Sequence, residues 1–586
     1  MFYTGNEHIC LINIENDLTI NGLTFLHYGL NGNLFLDCAL KQKFLFDENE
    51  IKFDKIKSDY KNYWVPEAIF ENQDFCINNC LFSPRGIRGF VTEIKIKNKS
   101  DENKKIKLIR QFNLKNIFLN INSSYILNPE IKIKYSDWFK NITVTATGNG
   151  IIFSLAFGTD VPFEYKITNN KNFIMIIELE LKAGENKAIN LFTGIGTEDM
   201  GAISSNVYFQ RIGVENIYLQ YEKWLIDNTE RFKNSHIERI HNLNKFFCYF
   251  FTNGITIDTC EPVAVTSRSP GYYVSGAYWD RDIFLWAFPL ILDMDTKKAK
   301  EILDYGFKIQ AKNFGIHSRH INGNILECGF ELDELCAPFI GLGNYIRKTK
   351  DIDFLKKQYV LDALLTAEEK FNKYKHKKYY LYATELNPSD DPAVYPFNTY
   401  DNVLTWVAFK EISYLFKLLK NKNKSSYFNK IANMVCRDIK KFAFLKDEKI
   451  IVYEFDTYGN YRLYEEPAGS LKLLNFYGFI QKNNVYYRNT LKWIYSEKNE
   501  FFFGSSLLKE TGCAHAKYPW VLSAANSLFT PGYEKFGSNF LKNSKMDDFI
   551  VCESVDANTG EVKTGKSFAT ASGFVAFAIK KNKKLL

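Results

Sequence analysis

The apolar residues of this chain change period once, and for good. As far as about residue 205 they alternate with polar ones or run unbroken over strand-sized stretches, as in VTEIKIK at 91–97 and the run 106–112 beyond the turn sequence NKSDENK. The runs 172–181 and 187–192 flank Ala-Gly-Glu-Asn in the same way. Such runs, separated by Asn, Gly and Asp clusters, predict an antiparallel β-sandwich. From 206 to 235 the chain becomes charged and helical (YLQYEKWLIDNTERFKNS), which reads as a linker. Beyond it the spacing is helical in twelve segments, from 236–253 to 567–579. Several open after Asp, Ser or Thr and close near Gly or Lys, as capped helices do. Twelve helices in sequential pairs fit a closed toroid of six hairpins, an (α/α)6 barrel, and no fixed-period repeat points to a solenoid. The expected organisation is a β-sandwich domain at 1–205, a helical linker at 206–235 and a barrel at 236–586.

The length agrees, since 586 residues exceed one ordinary core. An apolar share of 46% and a charged share of 24% are those of an ordinary globular protein, and the formal charge of +8 is spread along the chain. No Arg-rich block, zinc-finger spacing or RNA-binding motif suggests a nucleic-acid partner. No apolar run approaches the ~20 residues needed to span a bilayer, so no membrane role is expected. The opening MFYTGNEHICLINIEN has neither the basic nor the apolar region of a secretory signal. Eleven cysteines without a framework of spacings read as reduced thiols, and Cys76 and Cys80 lack a second Cys/His pair for zinc. The expectation is a cytoplasmic protein. With 51 Phe and 35 Tyr, aromatics reach 16%, a share that codon bias can inflate but from which sugar-stacking faces can also be drawn.

The connections between helices are of two kinds. Some are short and rich in Lys and Asn; others are long and rich in Gly, aromatic and acidic residues, which suggests one plain and one functional rim. The stretch 384–409, TELNPSDDPAVYPFNTYDNVLTWVAF, ends in an apolar helical run, so Asp390 and Asp391 stand on a turn feeding a helix. Alone, Asn-Pro-Ser-Asp-Asp is no more than a capped turn. In YWDRD, Trp279 offers a flat face, and Arg281 with Asp282 could grip vicinal hydroxyls or simply pair at a helix start. ELDELCAP opens another helix, where acidic residues also suit the dipole; Asp333 is the preferred sugar contact and Glu334 the reserve. GCAHAKYPW puts His515, one of eight histidines, just before Trp520 and a further helix, with no metal ligands around it. Glu553 emerges from the apolar run DDFIVC, where a carboxylate can activate a water.

Taken together and in this order, these stretches resemble the metal-independent α-mannosidases, inverting exo-acting enzymes built on an (α/α)6 barrel. Trp279-Asp280-Arg281-Asp282 is similar to the family's Trp-Leu-Arg-Asp, with Asp280 in place of Leu. Residues 330–338, FELDELCAP, resemble its Tyr-Glu-Ile-Asp-Ser-Leu-Cys-Tyr-Pro, and Asn387 to Pro392 resemble its Arg-Pro-Ser-Asp-Asp-Ala, with Pro392 for a small residue. His515 to Trp520 match its histidine loop, and Glu553 falls on its late glutamate. The N-terminal β-domain is instead like that of bacterial glucoamylases, debranching glucosidases and mannosylglycerate hydrolases.

The resemblance implies a glycoside hydrolase that removes a terminal α-linked sugar, with α-mannoside favoured over α-glucoside, and needs neither cofactor nor metal. It implies Asp390 as general acid with Asp391 in reserve, Glu553 as general base, and Trp279, Arg281, Asp282, Asp333, His515 and Trp520 around the sugar. Two rivals stand beside it: a carbohydrate-binding protein of the same fold without activity, and a phosphorolytic enzyme, which would require a basic phosphate pocket near Glu553.

Overall fold

The computed structural model describes residues 1–586 and divides them into two compact units. The first contains residues 1–229 together with 253–263 and 268–276; the second contains 230–252, 264–267 and 277–586.

In the first unit two antiparallel sheets, of nine and eight strands, enclose one apolar core. Alternation drives the arrangement: in the strand Asn172–Leu181, Phe173, Met175, Ile177, Leu179 and Leu181 are buried between exposed or half-buried residues. The two turns noted in the sequence are corners rather than tight hairpins. Strands Gly89–Asn98 and Asn186–Gly196 lie side by side in the eight-stranded sheet, whereas Lys104–Asn120 and Asn172–Leu181 lie in the other. The buried Asn98 side chain ties both corners, donating to Glu102 O at 2.7 Å and Lys182 O at 3.0 Å.

The segment read as a linker is not free. Helix Asp199–Ile212 lies on strands of the eight-stranded sheet, with Ala202, Ile203 and Phe209 buried, and helix Val214–Asp227 belongs to the same unit. Nor is the stretch after residue 236 continuous with the barrel. Arg268 is buried, its Nη1 donates to Asn6 O at 2.7 Å, and its own carbonyl accepts from Thr24 and Asn33, which binds residues 268–276 into the sandwich unit.

The second unit is the six-hairpin toroid. Its inner ring is formed by the helical run Arg281–Ala287 and Phe288–Met294, helices Leu332–Thr349 and Thr399–Leu418, the short turn Leu471–Leu474, and helices Val521–Leu528 and Ala569–Lys581. Each packs on the next and the last packs on the first, so the ring closes. Helices such as Ser235–Phe251, Lys422–Phe442 and Glu534–Asn543 form the outer layer. The expected helix at 468–479 shrinks to the 3₁₀ turn Leu471–Leu474, because the Lys472 ammonium is buried and pulled towards Glu510 Oε2 (3.0 Å) and Ser523 Oγ (2.7 Å). No helix is long and apolar enough to cross a membrane, and all eleven cysteines are free thiols.

Long connections lead into the inner helices and short ones lead out, so six chain segments converge on one rim. Ring closure depends on Gly573, where a Cβ would come within 2.7 Å of Cys248 Sγ and 2.8 Å of Ala287 Cα. Gly573→Ala should therefore cost about 1–3 kcal/mol, the usual penalty of overpacking, read as a lower urea midpoint. An unchanged midpoint would mean that this closure bears no strain.

Candidate active site

Every loop on the functional rim is hydrogen-bonded to the next. Arg281 Nη1 donates to Glu331 at 2.6 Å, and Leu332 N to Thr384 Oγ1 at 3.2 Å. Val394 N donates to Glu454 at 3.2 Å, Ala514 N to the Tyr464 hydroxyl at 2.8 Å, and Val521 N to Glu553 O at 3.0 Å. Thr570 Oγ1 donates to Asp282 at 2.8 Å and completes the circle. The rim is thus a braced ring, able to hold side chains in fixed geometry.

Arg281 is its hub. It opens the π-helical segment Arg281–Ala287, a form that often marks functional positions. Its guanidinium is buried and reaches Glu331 at 2.6 Å, Asp333 at 3.3 Å, Asp282 at 3.5 Å and Asp390 at 2.9 Å. Burial disfavours its charge, but Asp390, Glu331, Asp333 and Glu334 outweigh that and hold it firmly protonated. Crowding several carboxylates into a buried site raises their affinity for protons. Burial pushes Asp282 and Glu331 each up to about 7 against the pull of Arg281, and Asp333 is raised for the same reason.

The turn before helix Thr399–Leu418 presents the two central aspartates. Asn387 Oδ1 accepts from Ser389 N and Asp391 N, closing an Asx turn that sets Asp390 at φ +66°, a left-handed conformation that Asp tolerates better than most residues. Asp390 and Asp391 keep 35% and 33% of their side chains exposed, so both are reachable from solvent. His515 Nδ1 lies 3.4 Å from Asp391. The bond to Asp391 raises its affinity for a proton against burial, and the charges of Glu553 and Asp390 add to the rise. The His515 ring also packs on Trp520, whose neighbour Val521 donates its N–H to Glu553 O at 3.0 Å, so the histidine loop lies between the aspartate turn and the Glu553 loop.

The other expected residues divide. Trp279 is buried and edge-on to His317, with ring centroids 5.5 Å apart, so the flat stacking face expected of it is packed away. Trp520 is buried as well, donating to Ala516 O at 3.1 Å beside His515. Asp333 exposes none of its surface and accepts from Glu334 N and Arg281, so it braces Arg281 rather than offering an oxygen to a sugar. Glu334, the reserve, is a cap: its oxygens accept the backbone N–H groups of Asp280 and Arg281 at the start of the π-helical segment.

Several site residues were not singled out in the sequence. His317 and Arg319 project from a small hairpin, Ile316–Arg319 with Ile325–Phe330, whose short period-two pattern His-Ser-Arg is the one clue. Arg319 is ion-paired with Asp280, which explains how a carboxylate is tolerated at that buried position. Glu466, in Tyr464-Glu465-Glu466-Pro467, is held well above the usual carboxylate range by burial and by the charges of Glu454 and Asp391. Asp401, at the start of helix Thr399–Leu418, is pushed up likewise by burial, Asp333 and Glu466. His317, Glu331 and Asp390 bring three potential ligand atoms within 4.8 Å, but the guanidinium of Arg281 already binds both carboxylates.

The toroid is thus closed and carries a rim of carboxylates around an arginine hub. The sequence model of the metal-independent alpha-mannosidase (GH125) family matches residues 365–579, a span that contains Asp390, Asp391, His515, Trp520 and Glu553. The resemblance drawn from the motifs, and with it the expectation of a glycoside hydrolase, is borne out. Among solved structures, a Streptococcus pneumoniae metal-independent alpha-mannosidase with α-1,6-mannobiose in a non-productive complex is 15% identical, with a TM-score of 0.53 over 64% of this chain and 98% of its own. A bacterial glucoamylase bound to acarbose is 12% identical, with a TM-score of 0.65 over 99% of this chain and 93% of its own. A candidate kojibiose phosphorylase from the human microbiome is also 12% identical, with a TM-score of 0.61 over 98% and 86%. The last two span the β-sandwich as well as the toroid. The curated proteins give no match.

Two outcomes follow from the hub. In Arg281→Lys one ammonium cannot serve Glu331 and Asp390 from separate nitrogens, so kcat/KM should fall by roughly a hundredfold or more. Near-normal turnover would remove Arg281 from its central place. Asp282 has its folded pKa raised to about 7, so the folded chain keeps a proton that the unfolded chain loses near ~4. Its contribution to stability is full below ~4 and is lost as pH rises through about 7. Asp282→Asn should flatten that decline in urea titrations; an unaltered pH profile would contradict it.

Proposed function

We propose that the protein is an inverting exo-acting α-glycosidase that removes terminal α-mannose from an oligosaccharide or small glycoside. Asp390 serves as general acid and protonates the glycosidic oxygen. Glu553 serves as general base and draws a proton from the water that attacks the anomeric carbon from the opposite face. Arg281 and His515 position the terminal sugar and the two carboxyl groups. Asp391 holds His515, and Asp282 and Asp333 hold Arg281.

The observation that carries this reading is that two loops distant in sequence meet beside one histidine: His515 Nδ1 lies 3.4 Å from Asp391, next to the candidate acid, and its ring packs on Trp520, whose neighbour Val521 donates its N–H to the carbonyl of the candidate base Glu553 at 3.0 Å. Accessibility fits their roles. Asp390 is one-third exposed and can meet a leaving group that departs into solvent, whereas Glu553 is 3% exposed, which suits the retention of a single water. Mannose is favoured over glucose by the family match through the acid and base segments. The glucoamylase likeness, at 12% identity, supports the fold and keeps α-glucoside as the second reading. Phosphorolysis is disfavoured because the groups around His515 are Asp390, Asp391 and Glu553, which would repel a phosphate dianion.

The test compares an α-linked mannobiose, whose departure needs a proton, with α-mannosyl fluoride, whose departure does not. Asp390→Asn should lose about 100-fold or more on mannobiose and keep most activity on the fluoride. Glu553→Gln should fail on both, since water is no longer activated. Equal losses on the fluoride would overturn the roles, and no turnover of any α-glycoside by the wild type would favour the inactive binding protein.

A further inference from the structure

His317 has no role in the reading above, yet it stands at the acid. It lies on the strand Ile316–Arg319, and its ring is fixed from several sides. Nδ1 is hydrogen-bonded to Glu331, Nε2 lies 3.6 Å from Glu327 on the partner strand Ile325–Phe330, and the edge-on ring of Trp279 closes one side. From the turn before helix Thr399–Leu418, Asp390 presents Oδ1 at 3.9 Å from Nδ1, an ion-pair distance too long for a hydrogen bond. The same Oδ1 accepts from Arg281 Nη2 at 2.9 Å. Two cationic groups thus converge on one oxygen of the acid.

Resting on the assignment of Asp390 as general acid, we propose that His317 is a positioning residue: with Arg281 it commits Oδ1 of Asp390 to the protein, leaving Oδ2 as the oxygen that carries the proton to the leaving group. A carboxyl group free to rotate would present either oxygen and spend part of its time aimed away from the glycosidic bond, which costs rate even when it is protonated. The ring stays charged well enough for this work. Burial lowers its proton affinity, but the bond to Glu331 and the charges of Glu331 and Asp390 outweigh burial and the opposing charge of Arg281, so the net shift is upward. Glu331 is shared, with one oxygen on His317 and the other on Arg281, so the two positioning groups are held by the same carboxylate.

The substitution His317→Gln removes the charge and keeps a polar side chain. Loss of acid positioning should lower kcat/KM on an α-linked mannobiose by roughly tenfold to a hundredfold, while α-mannosyl fluoride changes by less than about threefold. The contrast between the two substrates is itself the discriminating readout, because a merely structural histidine would lower both reactions alike. His317→Asn, measured alongside with a thermal melt of each, serves if the first variant does not fold. Equal losses on both substrates, or no loss on either, would overturn the inference. If Asp390→Asn also loses the fluoride reaction, the assignment of the acid fails; if it spares the fluoride and His317→Gln does not, only the role of His317 fails.

Discussion

A single buried guanidinium, that of Arg281, sets the terms for the rim of the toroid. A buried charge is costly unless it is paired, and breaking a buried pair commonly costs about 3–5 kcal/mol. Here the pairing is spread over Glu331, Asp333, Asp282 and Asp390, which come from three different loops. Satisfying Arg281 therefore assembles those loops, and crowding several carboxylates into a buried site raises their affinity for protons. Asp282 and Glu331 are both pushed up to about 7 by burial, so the rim stores acid groups near neutrality.

The architecture was legible in the sequence because it rests on periodicity. The switch from period two to helical spacing announced a sandwich followed by twelve helical segments, and the inner ring closes as six hairpins require. What periodicity does not carry is allegiance. Residues 253–263 and 268–276 lie after the first barrel helix in sequence, yet belong to the sandwich unit through hydrogen bonds such as Arg268 to Asn6. The helix expected at 468–479 was lost to a buried lysine, because Lys472 is drawn to Glu510 and Ser523, a preference that no local pattern encodes.

The sequence pointed to Asp390, Asp391, His515 and Glu553 by their loops ahead of helices, and the structure does place them on such loops of the toroid. The site was misread where burial decides the role. Asp333 looked like a sugar contact and is a brace; Glu334 looked like a reserve and is a cap on the N–H groups of Asp280 and Arg281. His317 was passed over because it lies on a β-hairpin inserted between helices, where the short period-two pattern His-Ser-Arg is a weak signal in a helical reading. Asp280 departs from the family pattern, and its buried partner Arg319 shows how the departure is accommodated.

The fold is shared with a glucoamylase and a candidate phosphorylase, so the fold alone does not choose the reaction. The proposed choice rests on Asp390 as acid and Glu553 as base, with a water to be held between the base and the sugar. Such a geometry has one stereochemical consequence, inversion at the anomeric carbon. Proton NMR during the first minutes of hydrolysis of an α-mannoside, before mutarotation, reads it directly. The account predicts that β-mannose appears first; initial release of α-mannose would contradict it.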